Sequence, residues 1–260
     1  MSRAVYKAGR RLVRDFGEIE NLQVSKKGPG DFVTNADLAS EEILKQELQK
    51  ARPKFGFLLE EGGEIKGEDV NHTWLIDPLD GTTNFLHGMP HFCISVALKR
   101  QNEIIAGMIY DPVRDELFFT EKGRGAFLNN KRLRVSGRRN PEDALLATGM
   151  NVREKETFLA NLHKVETIGP CIAAIRHTGS IALDLAYVAA GRIDGFWHLR
   201  FSPWDVAAGM LLIREAGGYV TDAKCQMDVL NADSIIASNE FMHQALCKVL
   251  GKPAAKVQNI

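Results

Sequence analysis

The sequence predicts an α+β chain with an antiparallel sheet in its first half and an α/β arrangement in its second. Two observations carry this. Strand-like runs at 93–98, 104–110 and 116–120 follow one another with only Gln101-Asn102 and Asp111-Pro112 between them, the pattern of an antiparallel meander. Beyond Asn140-Pro141-Glu142-Asp143, helical and strand patterns alternate instead, so a boundary between halves is placed at about residue 140. With 260 residues the chain is long enough to bury a substantial core as one large or two small units.

In chain order, residues 1–16 form an amphipathic helix with Val5, Leu12, Val13 and Phe16 on one face. Its basic character imitates a transit peptide, but Asp15 and the lack of a serine-rich continuation favour packing. A short strand at 22–25 then meets the breaker Lys26-Lys27-Gly28-Pro29-Gly30-Asp31, where a loop is expected. Val33-Thr34-Asn35-Ala36-Asp37 opens a helix ended by Pro53, and Asp37 in its first turn suits the helix dipole. Phe55 to Leu59 is an apolar run ending at Glu60-Glu61-Gly62-Gly63, and because neighbouring strand residues face opposite ways, only one of the glutamates can reach a common site. Gly123-Arg124-Gly125 reads as a turn, and Asn129-Asn130 as a hairpin tip. In the second half, strands are expected at 145–148, 173–176, 193–197, 219–220 and 235–237, with helices at 155–164, 180–190 and 204–216 and from Glu240.

Acidic and basic residues are equal in number, 33 each, so no global field favours nucleic acid or an anionic membrane. The basic cluster Lys131, Arg132, Arg134, Arg138 and Arg139 is interrupted by Leu133 and Val135 and reads better as a solvated edge than as an RNA surface. Cys93, Cys171, Cys225 and Cys247 form no Cys-x-x-Cys pair, which points away from zinc and toward reduced, mostly buried thiols suited to a cytosol. No run of about 18 apolar residues exists, so a membrane span is not expected.

The chemistry gathers at Trp74-Leu75-Ile76-Asp77-Pro78-Leu79-Asp80-Gly81-Thr82-Thr83-Asn84. Apolar residues run up to Asp77, Pro78 and Gly81 turn the chain, and Thr82 stands at the start of a short helix whose free N–H groups suit an anion. Carboxylates beside a phosphate seat repel it unless hard cations lie between, which reads as a magnesium-dependent phosphate site. Asp-x-x-Asp by itself is equally a turn or a helix cap. The full string Asp77-Pro78-Leu79-Asp80-Gly81-Thr82-Thr83-Asn84 resembles the first signature of the inositol monophosphatase family, and Trp204-Asp205-Val206-Ala207-Ala208-Gly209 with Glu215-Ala216-Gly217-Gly218 resembles its second.

The resemblance implies a layered αβαβα sandwich, a homodimer, lithium sensitivity, and hydrolysis of a phosphate monoester by a metal-activated water. It would make Glu60, Asp77, the Leu79 carbonyl, Asp80 and Asp205 ligands of two to three Mg²⁺ ions, although Leu59 stands where the family has a glycine before its glutamates. Asp37 and Thr82 would be catalytic, Gly81 and Thr82 would bind phosphate, and Asp80, Ile181, His198 and Arg200 would contact substrate. His198 occupies the position, seven before Asp205, of a family glutamate that accepts hydrogen bonds from inositol hydroxyls. The expected substrate is inositol 1-phosphate. Fructose 1,6-bisphosphate, NADP or histidinol phosphate are the alternatives, and a regulatory role in transcription complexes is a further, less favoured reading.

Overall fold

A computed structural model describes residues 1–18, 24–28, 31–152 and 154–251. Fifteen strands and seven α-helices follow one another as α1 (Ser2–Phe16), β1 (Val24–Gly28), β2 (Asp31–Thr34), α2 (Asn35–Ala51), β3 (Phe55–Leu59), β4 (Gly63–Ile65), β5 (Asp69–Asp80), α3 (Thr82–Leu86), β6 (Cys93–Arg100), β7 (Glu103–Asp111), β8 (Glu116–Glu121), β9 (Gly125–Leu128) and β10 (Lys131–Arg132), and then as β11 (Leu145–Thr148), α4 (Lys155–Ile168), β12 (Ala174–Arg176), α5 (Ile181–Ala189), β13 (Gly195–Leu199), α6 (Pro203–Glu215), β14 (Tyr219–Thr221), β15 (Ser234–Ser238) and α7 (Glu240–Leu250), all among the described residues.

The expected meander is β6-β7-β8, extended by β9 and β10 on one side and by β5, β3 and β4 on the other into an eight-stranded sheet. Only β3 and β5 run parallel within it. The five-stranded sheet, ordered β12-β11-β13-β15-β14, is mixed, with β11 parallel to both its neighbours.

Period-two alternation assigns each strand residue to a layer. On the eight-stranded sheet, Trp74, Ile76, Val96, Met108 and Tyr110 face α1 and α2, while Leu75, Ala97 and Ile109 face the opposite way toward α5 and α6. On the smaller sheet, Ala147, Phe196, Ile235 and Ala237 face that same central pair of helices, and Leu146, Trp197 and Ile236 face the outer layer of α4 and α7. The result is helix, sheet, helix, sheet, helix, the layered sandwich expected. Gly107 lets the central layer close: a Cβ there would stand 2.9 Å from Ala208 Cα of α6.

Several expectations change. The segment 26–28 belongs to strand β1, paired antiparallel with β2, rather than to a loop. Residues 22–23 and Pro29-Gly30 lie outside the described residues. Val13 is exposed, because Ala4, Val5, Ala8 and Leu12 already fill the buried face of α1. Leu133 is buried after β10 has ended, so the basic segment is not strand alternation beyond Arg132. Two of its cations are engaged locally: Arg138 pairs with Asp194 at 3.0 Å, and Arg139 lies 4.4 Å over the Phe241 ring. Cys93 alone of the cysteines is buried, while Cys171 and Cys225 are exposed. Among the described residues no helix is long and apolar enough to cross a membrane.

Candidate active site

The chain does not turn after Asp77, as the sequence suggests; β5 continues to Asp80 through a bulge. Asp77 pairs with Ser95 and Asp80 with Cys93, so three steps along β5 match two along β6. Residues three apart on a regular strand point to opposite faces, and the one extra residue brings both carboxylates to the same face. Pro78 has no N–H to give the ladder and is tolerated because it sits in the bulge. Two bonds pin the distortion: Leu79 N–H donates to Asp77 Oδ1 at 3.0 Å, and Ser40 Oγ of α2 donates to the Pro78 carbonyl at 2.8 Å.

Each aspartate of the set is fixed through one oxygen. Asp80 Oδ2 accepts from Ser180 Oγ at 2.5 Å and from Ala182 N–H at 2.7 Å, so a carboxylate of the large sheet rests on the N-terminus of α5, where the helix dipole favours it. Asp205 Oδ2 accepts from Ser202 N–H at 2.7 Å at the start of α6. Glu60 follows β3, its N–H donating to the Ile76 carbonyl at 3.2 Å. The N–H of Glu61 donates to Glu41 Oε2 at 2.9 Å, and Glu60 is the glutamate that lines the site.

These residues meet in a cleft of about 860 Å³ lined by Glu60, Asp77, Leu79, Asp80, Gly81, Thr82, Ile181, His198 and Asp205 together with Asp184 and other residues of both sheets' loops. Five carboxylates line it and, among the described residues, no lysine or arginine does. Burial raises the pKa of Asp77 well above the ordinary carboxylate value, and repulsion from Glu60, Asp80 and Asp205 adds to the shift. Burial likewise raises Asp205, with Asp80 and Glu60 adding to it, and raises Asp80 against the bonds from Ser180 and Ala182. Buried carboxylates forced together with no counter-charge among the described residues form a site that calls for cations, and their oxygens are the donor type hard divalent ions prefer. Among the described residues, no three His, Cys, Asp or Glu side chains stand as a ready-made metal cage. The fit rests on donor chemistry and charge.

Thr82 Oγ1 donates to the Leu79 carbonyl at 3.0 Å and lies 3.3 Å from Asp37 Oδ1. Asp37 is buried outside the cleft lining and also closes a capping box with Thr34 at the start of α2. Its pKa is raised to about 6 by burial, against the bonds from Thr34. Gly81 takes φ 98° at the N-cap of the five-residue α3. A side chain there would be strained.

His198 is 7% exposed and lines the cleft. Burial lowers its pKa to about 4, so it is neutral at physiological pH, and its Nδ1 has no hydrogen-bond partner among the described residues. Gly149 makes room for the ring: a Cβ there would stand 2.0 Å from His198 Cδ2. Arg200 does not line the cleft; its guanidinium faces Glu154 at 3.7 Å.

Sequence reasoning missed Ser180, which both holds Asp80 and caps α5 through Leu183 N–H at 3.2 Å, and Ser40. It also missed Asn84, whose Nδ2 donates to the His91 and Thr178 carbonyls at 2.8 and 2.9 Å and ties the α3 segment to the chain before α5. Asp184 is buried at 2% exposure with no partner for Oδ1 among the described residues, and burial holds its pKa well up. Ser180 does carry a local signal, as a serine preceding an apolar helix. The long-range partners leave none.

Fold and site together define a layered phosphoesterase-like sandwich with a carboxylate-lined cleft between its sheets. The chain belongs to the inositol monophosphatase family, whose model matches residues 2–253. It is 54% identical over 256 residues to an inositol-1-monophosphatase of Mesorhizobium japonicum, covering 97% of this chain and 95% of that one. It is 41% identical over 244 residues to the Nus factor SuhB of Escherichia coli K12, covering 94% and 91%. The solved extragenic suppressor protein SuhB of Bartonella henselae superposes with a TM-score of 0.94 at 53% identity, over 97% of each chain.

Proposed function

We propose that this chain is a magnesium-dependent phosphoric monoester hydrolase acting on inositol 1-phosphate. The observation that carries the reading is the gathering of Glu60, Asp77 and Asp80 from the eight-stranded sheet and Asp205 from the start of α6 into one cleft that, among the described residues, no lysine or arginine lines. Those carboxylates and the Leu79 carbonyl would hold two to three Mg²⁺ ions, which when bound supply a water of lowered pKa and neutralise charge on the phosphoryl and leaving oxygens.

The chain's own groups do the positioning. Asp37 holds the Thr82 hydroxyl, which orients the attacking water. The Gly81 and Thr82 N–H groups receive phosphate oxygens. Asp80 and Ile181, joined through the start of α5, face the substrate's alcohol portion, and neutral His198 offers it one donor and one acceptor in place of a carboxylate. That exchange weakens discrimination for inositol while leaving phosphate hydrolysis in place.

The experiment is phosphate release from inositol 1-phosphate, fructose 1,6-bisphosphate, NADP and histidinol phosphate, with magnesium, with chelator, and across a lithium titration. Turnover that survives chelation, or that lithium leaves unchanged at fixed magnesium, refutes the site as described. The same reading takes the protein as a cytosolic homodimer, which light scattering of the purified chain checks. A transcription role, suggested by the Nus factor relative, is not favoured here, since Arg138 and Arg139 of the basic cluster are already engaged within the fold.

A further inference from the structure

The fold brings together two cysteines that the sequence keeps 22 residues apart (247 − 225 = 22). Cys225 lies in the tight turn after β14. Asp222 Oδ1 accepts from Lys224 N–H at 2.8 Å and from Gln226 N–H at 2.7 Å, and Cys225 N–H donates to the Asp222 carbonyl at 3.0 Å. This holds Cys225 in the left-handed region at φ 61°, which fixes the direction of its side chain. Cys247 stands on the last turns of α7.

The turn and the helix are packed face to face. Ala223 and Cys247 both cover the outer core, and the Ala223 carbonyl approaches so closely that a Cβ on Gly251 would lie 2.6 Å from it. Cys247 Sγ is 3.7 Å from Thr221 Oγ1. Burial, and then a hydrogen bond with the Cys225 thiol, push the Cys247 pKa up to about 11. Cys225 is exposed and Cys247 half-buried, so an oxidant reaches the first while the second waits behind it.

We propose that Cys225 and Cys247 are a redox pair that closes to an intramolecular disulfide under a peroxide. The Cys225 thiolate attacks one oxygen of hydrogen peroxide; the O–O bond breaks, the sulfur becomes a sulfenic acid, and hydroxide leaves to take up the thiol proton as water. The Cys247 thiol then attacks the sulfenic sulfur, its proton going to the departing hydroxide as a second water. Two thiols and one peroxide give one disulfide and two waters. The sulfurs together lose the two electrons that the peroxide gains. A dithiol reductant reverses the step. The bond ties the turn after β14 to α7, and neither cysteine lines the catalytic cleft, so turnover stays constant while unfolding moves to higher temperature.

The test treats the full chain with a few equivalents of hydrogen peroxide, removes the peroxide, blocks every remaining thiol with N-ethylmaleimide in denaturant so that buried Cys93 is reached, and reads intact mass and a non-reducing peptide map. The expected result is the loss of two hydrogens, maleimide on two of the four cysteines, and a Cys225–Cys247 cross-linked peptide that dithiothreitol releases. Cys171→Ser keeps the cross-link. Cys225→Ser, at an exposed position, removes it without lowering the melting temperature of the reduced protein. Labelling of all four cysteines after peroxide, sulfinic acid at Cys225 without a cross-link, or disulfides between chains each overturns the proposal. The unsubstituted chain alone decides the matter.

Discussion

Ser180→Ala separates the anchoring of Asp80 from the chemistry of the cleft. One buried hydroxyl donates to Asp80 Oδ2 at 2.5 Å and accepts from Leu183 N–H at 3.2 Å. A hydrogen bond to a carboxylate contributes on the order of 1.5–3 kcal/mol, and an N-cap serine about 1 kcal/mol. Because Ala182 N–H still holds the same oxygen at 2.7 Å, the lower end of the first range applies, and the sum is about 2.5 kcal/mol. For a chain of this size that lowers the melting temperature by roughly 5–10 °C. The loss runs partly through the carboxylate, so combining Ser180→Ala with Asp80→Asn should cost less than the two single changes added. Thermal unfolding of the four proteins in chelator measures this, and a magnesium titration should show weaker stabilisation of Ser180→Ala. A drop below about 2 °C, or strict additivity with Asp80→Asn, would refute the reasoning.

Asp77→Asn should abolish turnover and keep the fold; retention of more than a tenth of kcat, about 1.4 kcal/mol of barrier, would falsify its role. Metal-free protein should lose stability as pH rises. Asp37, Asp77, Asp80 and Asp205 all bind protons more tightly when folded, so their cost is absent below the ordinary value of 3.8 and complete once pH passes their raised values. Asp37, moved to about 6, accounts for about 3 kcal/mol of this. Magnesium should offset the loss increasingly toward neutrality, and parallel melting curves with and without it between pH 5 and 8 would contradict the scheme. His198→Glu should raise the ratio of kcat/KM for inositol 1-phosphate over glycerol 2-phosphate by roughly tenfold, the value of a charged acceptor for hydroxyls. An unchanged ratio removes His198 from specificity.

Local pattern was enough to place most elements. The apolar runs 145–148 and 235–237 fall within strands β11 and β15, and Asp37 stands in the first turn of α2, the place its sequence position suggests. The bulge in β5 was not legible, because Pro78 reads as a turn until the pairing with β6 shows one surplus residue. Nor was the hold on Asp80, since Ser180 stands 100 residues away and nothing nearby in the sequence points to it. Arg200 stands two residues after His198 but turns away at φ 63° to face Glu154, a backbone choice that its neighbours do not disclose.

The anchoring of Asp80 by the start of α5 also bears on how the protein is made. A nascent chain presents Glu60, Asp77 and Asp80 early, whereas Ser180, Ala182 and Asp205 emerge only after most of the 260 residues have been synthesised. During that interval the large sheet carries its acidic residues with neither the α5 terminus nor the last carboxylate in place. A half-made chain therefore offers three of the four carboxylates, with Asp80 not yet held in place. The complete set of oxygens and its anchors assembles only once α5 and α6 are in place, and a chain terminated before α6 lacks Asp205.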